Sequence, residues 1–308
     1  MGTTYSVQWV PAGNSAAIDP EHLQKQIDAR LDEINQLMST YDSTSQLSKV
    51  NQSYQSGWHD VDTELVLLLD TSLEICRQSK GAFDVTVEPL IALWGFGSSN
   101  TQFSPPTQTE LNIVKQNIGC QYLNARAEPP AIYKKHKDIM VDLSAIAKGY
   151  AVDQLADILE MAGIKNYLVE IGGELKARGR GHHGEVWRIG IEAPNPGRTE
   201  VKDIITLDNV AVASSGNYRN YIEHDGKHYS HIVDPRTGMP VKHRLSSVTV
   251  IHESAAIADA WATALLVLGP NEALTVADQY GLAIYMITEE MNGIKSTYNK
   301  RMEPYIAR

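Results

Sequence analysis

The stretch SAAIADAWATAL at residues 254–265 constrains this chain more than any other. Six of its twelve residues are alanine, the strongest helix former, and Ile257, Trp261 and Leu265 stand between them. A helix that is apolar on almost every side has no face to give to water, so other elements must wrap it. Asp259 sits in the middle of this helix. A buried ionised acid is costly unless a cation or several hydrogen-bond donors compensate it. Thr263 lies four residues on, one turn along the same face. Two readings are open at this point. Backbone donors could satisfy Asp259 while Thr263 bonds back into its own helix. Alternatively, the carboxylate and hydroxyl, both hard oxygen donors, hold a cation such as Mg²⁺, which completes its shell with water and phosphate oxygens.

The rest of the chain can supply the wrapping. It has 308 residues, 43% of them hydrophobic, enough for a large core. Lys and Arg number 27 against 37 Asp and Glu, a formal net charge of −10. That balance argues against general affinity for nucleic acid or anionic lipid, and leaves room for one local basic pocket. No apolar run reaches transmembrane length. The opening MGTTYSVQWV alternates like a strand and does not read as a signal peptide. The protein is therefore expected to be cytoplasmic, or a mature form whose targeting segment has been trimmed. Two cysteines are too few for a disulfide scaffold. Cys76, beside Ile75 on a helical pattern, reads as a buried thiol, and no pairing with Cys120 follows.

Periodicity places the elements. Leu23, Ile27, Leu31, Ile34 and Met38 predict an amphipathic helix over 20–38, with Asp19 as N-cap and Pro20 in the first turn. Further helices are expected near 62–79, 109–117, 144–163, 254–268 and 271–280. Strands are expected at 139–143, on both sides of Gly172-Gly173, at WRIGIEAP, SSVTVIHE, 282–288 and 294–298. Asp225-Gly226 between alternating residues signals a hairpin. GAFDVTVEPLIALWGFG at 81–97 suggests a buried turn and short helix that approach a ligand. Helices and hairpins intermix, which predicts an α+β fold with mixed or antiparallel sheets and packed helices, with room for two lobes.

Two more segments carry chemistry. In VDLSAIAKGYAVD, Asp142 precedes a turn through Ser144 and Ala145 into a helix bearing Lys148. Free N–H groups and a lysine near a helix start favour an anion, and a carbonyl of the turn could face a cation. A surface Asp–Lys pair is the plainer alternative. In SHIVDPRTG, His231 stands at a strand end just before a turn, with Tyr229 and Val233 on its face. A structural histidine remains open there. The adjacent His182 and His183 read as a solvated loop.

Together these segments resemble the ApbE family, the Mg²⁺-dependent FAD:protein FMN transferases. The resemblance rests on MSTYDSTSQLS, GAFDVTVEPLIALWGFG, VDLSAIAKGYAVD, LVEIGGEL, SSGNYRNY, HIVDPRTG and ADAWATALLVLG, in that order. Glu88 departs from it, since the family usually carries Gly in TVGPL. The resemblance implies a T-fold-like architecture in one unit spanning 1–308. It implies transfer of FMN from FAD to a Thr or Ser hydroxyl of a partner protein, with AMP leaving. By the same resemblance Asp259, Thr263 and the Ala145 carbonyl bind Mg²⁺. Met1, Tyr41, Ala82, Phe83, Asp84, Asp142, Lys148 and Val233 contact FAD, and His231 serves as the base or positions it. The implied partners are membrane redox subunits, such as those of sodium-pumping NADH:quinone oxidoreductase or Rnf-type complexes. The implied location is the periplasm, from a precursor anchored at the inner membrane by a lipid. Two other functions compete: an FAD pyrophosphatase using the same metal site, and a non-catalytic FAD-binding protein.

Overall fold

The structure is a computed structural model of the chain and describes residues 2–11, 18–96, 103–194, 200–218, 221–291 and 293–307. The alanine-rich segment forms helix α7 (Ala255–Leu268), and nearly all of its side chains are buried. It lies on the inner face of a seven-stranded antiparallel sheet. In spatial order the strands are β1 (Tyr5–Trp9), β5 (Tyr167–Ile171), β6 (Glu174–Arg178), β9 (Val210–Gly216), β14 (Leu245–His252), β15 (Ala283–Glu290) and β16 (Gly293–Tyr298). Helices α6 (Ser144–Met161), α8 (Pro270–Tyr280), α1 (Pro20–Met38) and α3 (Thr63–Gln78) complete the layer around α7. The helix that could not face water thus occupies the middle of the main core, as its composition requires.

The opposite face of the sheet is closed by a hairpin of β7 (Trp187–Glu192) and β8 (Val201–Leu207). Ile191, Ile205 and Leu207 pack there on Val212, Ile251 and Tyr285 of the sheet. A third cluster joins α4 (Glu88–Leu93) and α5 (Gln108–Lys115) to the short strand β12 (Val233–Asp234) through Leu90, Trp94, Leu111 and Val233. Nearby, β10 (Tyr221–His224) and β11 (Lys227–Ser230) form the hairpin expected from Asp225-Gly226, both residues having positive φ. β12 pairs with β13 (Met239–Pro240). A small sheet of β2 (Gly57–Asp60), β4 (Ala131–Lys134) and β3 (Leu123–Arg126) sits beside α3, and α2 (Gln46–Gln52) packs on α1. All pairings between these strands are antiparallel. The α+β expectation holds.

The local signals act as predicted in several places. Asp19 caps α1 by accepting from the Glu21 N–H at 3.0 Å, with Pro20 at the first helical position. Asp62 does the same for α3. Two expectations need correction. Residues 139–143 form no strand, although their burial alternates as a strand's would. Their polar groups are taken up elsewhere: the Asn51 side chain bonds both the N–H and the carbonyl of Val141, each at 2.8 Å, and the Asp142 N–H reaches Val85 O at 2.7 Å. The second correction concerns sulfur. Cys76 is buried, as expected, yet it is not a thiol: it forms a disulfide with Cys120 across a separation of 44 residues. Nothing in the spacing announces that pair. The end of α3 and the turn at Gly119 bring it together.

Candidate active site

A cavity of about 720 Å³ opens where α6, α7, the sheet and the β7–β8 hairpin meet. Its charged floor comes from three residues on three elements. Asp259 of α7 is 3% exposed. Its Oδ2 accepts the Gly149 N–H at 3.1 Å, and its Oδ1 faces Lys148 Nζ at 3.5 Å. Gly149 is required here, because a Cβ at that position would lie 2.2 Å from the Ala255 carbonyl oxygen. Only glycine lets α6 approach α7 closely enough for its backbone to reach the carboxylate. Lys148 Nζ also pairs with Glu174 Oε1 at 2.9 Å. Glu174 begins β6 and is 3% exposed, and its second oxygen, Oε2, is buried with no hydrogen-bond partner.

The electrostatics follow from this crowding. Burial pushes Asp259 above the usual carboxylate range, against the pull of Lys148 and the Gly149 amide. Burial, reinforced by the Asp259 charge, lifts Glu174 to about 7. Burial opposes the charge on Lys148, but the two carboxylates together keep its pKa above the ordinary value. Two acids share one ammonium, so the ionised cluster carries a surplus negative charge.

Around this floor the structure brings together most of the residues singled out in the sequence. Ala145, Thr263, Asp142, His231, Val233 and the Ala82–Phe83–Asp84 run all line the same cavity. Thr263 Oγ1 lies 3.1 Å from Ser215 Oγ of β9, one turn from Asp259. Asp142 is held by the Ser144 N–H and hydroxyl, each at 2.9 Å, which fixes the turn into α6. Glu88, the departure from the family pattern, is half-buried, and burial together with the Asp142 charge raises its pKa. Asp84 is used differently. It accepts from the Thr86 N–H at 2.8 Å, the Thr86 hydroxyl at 2.6 Å and the Cys120 N–H at 2.9 Å, so it braces the cavity wall against the disulfide-linked turn. His231 is half-buried, with its ring edge-on to Phe96 at 6.2 Å between centroids.

Two residues stand apart. Tyr41 lies outside the lining and is 93% exposed, on the loop between α1 and α2. Met1 falls outside the described residues. Sequence reasoning also missed two contributors, Glu174 and Ser215. A signal for Glu174 was present: in the ELKAR strand, Glu174 and Lys176 share one face by alternation, and two charges on a strand face turned toward an apolar helix layer need partners.

The donor set suits a hard divalent cation. Asp259 and Thr263 offer oxygens on one helix face. Ala145, in the first turn of α6, lines the same cavity, and a helical carbonyl oxygen keeps a second lone pair with acceptor capacity. The orphaned oxygen of Glu174 and the surplus negative charge point the same way.

Fold and site together place the protein among solved flavin transferases. It superposes on the structure of "Flavin Transferase ApbE from Vibrio cholerae" with a TM-score of 0.90 and 39% identity, covering 99% of this chain and 96% of that one. An ApbE protein from Thermotoga maritima gives a TM-score of 0.85 at 28% identity, covering 99% of both chains. Among curated relatives, the FAD:protein FMN transferase of Vibrio cholerae is 40% identical over all of this chain and 91% of its own length. That of Escherichia coli K12 is 38% identical over 99% of this chain and 87% of its own. The ApbE family model matches residues 1–286, and the chain belongs to that family.

Proposed function

We propose that this enzyme is a FAD:protein FMN transferase that works with Mg²⁺. It moves the FMN moiety of FAD onto a Thr or Ser hydroxyl of a partner protein, forms a phosphoester and releases AMP. The observation that carries the reading is the acid–alcohol pair Asp259 and Thr263, set beside Lys148 in a cavity of about 720 Å³. Asp259, Thr263 and the Ala145 carbonyl would hold the cation. Bound Mg²⁺ supplies Lewis-acid neutralisation of phosphate charge. Lys148 faces the diphosphate, while Ala82, Phe83, Asp142 and Val233 shape the wall for FAD and Asp84 braces it. Tyr41 and Met1 are proposed as further cofactor contacts, Tyr41 through a flat ring suited to stacking.

The bond changes balance without an added reactant. The acceptor oxygen bonds the phosphorus on the FMN side, the bridging P–O bond breaks, and AMP departs with the bridging oxygen. His231 takes the proton of the attacking hydroxyl, imidazole being the commonest general base among side chains. For acceptors we propose subunits of sodium-pumping NADH:quinone oxidoreductase or Rnf-type complexes. For location we propose the periplasm, from a lipid-anchored precursor. The Cys76–Cys120 disulfide supports an oxidising compartment.

Incubation with FAD, Mg²⁺ and a flavin-acceptor protein tests the reading, with in-gel fluorescence reporting flavin bound covalently. Release of FMN and AMP with no labelled protein would make the enzyme a pyrophosphatase. FAD left intact would make the protein a carrier. His231→Ala is expected to slow transfer by about 100-fold or more while FAD affinity stays near wild type. Loss of affinity alone would reassign His231 to binding.

A further inference from the structure

Glu174 has no part in the chemistry above, yet it is the most conspicuous unsatisfied group in the cavity. It is 3% exposed, its Oε2 has no partner, and its Oε1 holds Lys148 Nζ at 2.9 Å, closer than the 3.5 Å that separates the ammonium from Asp259. Lys148 is the cation that the cavity floor offers to an incoming diphosphate, and Glu174 neutralises it. We infer that Glu174 is a specificity-determining residue that makes dinucleotide binding depend on the divalent cation. This deepens the proposed function and rests on its cation site.

With Asp259 and Glu174 ionised and Lys148 protonated, the floor is one negative charge in excess. A diphosphate entering alone meets that excess at short range, beside two carboxylates that are themselves buried, where the repulsion is less screened than in open water. A divalent cation meets attraction from the same excess. Once it is in place the floor turns positive and the diphosphate is welcome. Without Glu174, Lys148 would balance Asp259 alone. The floor would then be neutral, and anion and cation would no longer need each other. Glu174 also draws the ammonium off Asp259, whose oxygen would otherwise be shared between Lys148 and the metal. The carboxylate thus weakens one ligand on its own and strengthens the other, a pattern that mere packing does not produce.

Glu174→Gln tests this, because it keeps the shape and removes the charge. Two affinities are measured at pH 8.5, where the carboxyl is ionised: Mn²⁺ alone by electron paramagnetic resonance, and FAD by fluorescence quenching in EDTA, where no transfer runs. The variant is expected to bind Mn²⁺ about tenfold more weakly and FAD in EDTA about tenfold more tightly. The opposed signs are the readout. A variant damaged in folding loses both affinities, and that result, or no change in either, overturns the assignment of Glu174. Asp259→Asn run beside it separates this failure from that of the site itself. If Asp259→Asn binds Mn²⁺ as wild type does, the cation site is wrong, and both the metal reading and this inference fall. If only Asp259→Asn loses Mn²⁺, the site stands and Glu174 has no part in it.

Discussion

Two carboxylates lie at the contact between α6 and α7, and the chain treats them in opposite ways. Asp153 of α6 reaches across to the start of α7. It accepts from Ser254 Oγ at 2.8 Å and from the Ala255 and Ala256 N–H groups at 3.1 Å each, and pairs with Lys176 Nζ at 2.7 Å. It caps a neighbouring helix, and donors engage both of its oxygens. Asp259 of α7 is deeper, yet it has one backbone N–H at 3.1 Å and an ammonium at 3.5 Å that prefers Glu174. Nearly the same helix pair thus offers a finished electrostatic arrangement at one end and an unfinished one at the other. Buried polar groups are normally satisfied, and the cation proposed for the unfinished end would supply the missing compensation.

Removing each acid should separate the two roles. Asp259→Ala is expected to lower Mg²⁺-dependent flavin transfer by about a thousandfold or more. The protein should stay folded, because alanine suits this helix and the variant removes an under-compensated buried charge. Transfer rates at limiting and saturating Mg²⁺, together with a thermal melt, check both halves. Near-normal transfer at limiting Mg²⁺ would break the comparison, since the unfinished end would then have no catalytic meaning.

Asp153→Ala should do the reverse. It strips the donors of α7 and leaves Lys176 without its partner, at a cost of about 3 kcal/mol in stability. Denaturant unfolding measures that cost. Transfer per folded molecule should remain within about twofold of wild type, because Asp153 does not line the cavity. A large loss of transfer with little loss of stability would mean that the finished end also serves the chemistry.

The same contrast explains how far the sequence could be read. Caps and periodicity are local, so α1, α3, α6, α7 and the Asp225-Gly226 hairpin were legible from neighbouring residues. The acid in α7 was legible as a problem, since a charge among alanines is anomalous wherever the helix goes. Its solution was not, because the amide of Gly149 and the ammonium of Lys148 arrive from positions about 110 residues away and only tertiary packing joins them. The small sheet β2–β4–β3 was missed for a related reason. Its strands are four residues long, too short for alternation to outweigh the surrounding loop composition. The Cys76–Cys120 bond and the Asn51 clamp on Val141 are likewise contacts without a sequence signature.

The unfinished end should also be visible in stability alone, without substrate or metal. Glu174 has its pKa raised to about 7 in the folded protein, by burial first and by Asp259 second, from an ordinary value of 4.5. Below about pH 4.5 the carboxyl is protonated in both folded and unfolded chains, and its contribution to stability is fully present. As pH climbs toward 7 the unfolded chain gives up this proton while the folded chain keeps it, so the contribution falls away. It is lost once pH passes the folded value. The loss is about 3 kcal/mol at most, since each tenfold difference in proton affinity between folded and unfolded chains is worth roughly 1.4 kcal/mol. In EDTA, the stability of the wild type relative to Glu174→Gln should therefore fall between about pH 4.5 and 7.5. Asp259 is raised in the same direction, so some slope persists in the variant. Adding Mg²⁺ to the wild type at about pH 8 should restore part of what was lost, because a ligand that binds only the folded chain stabilises it. Urea melts across this pH range, with and without Mg²⁺, provide the measurement. A profile identical in wild type and Glu174→Gln would mean that Glu174 finds compensation in solution that the folded structure does not offer it, and the contrast with Asp153 would lose its physical basis.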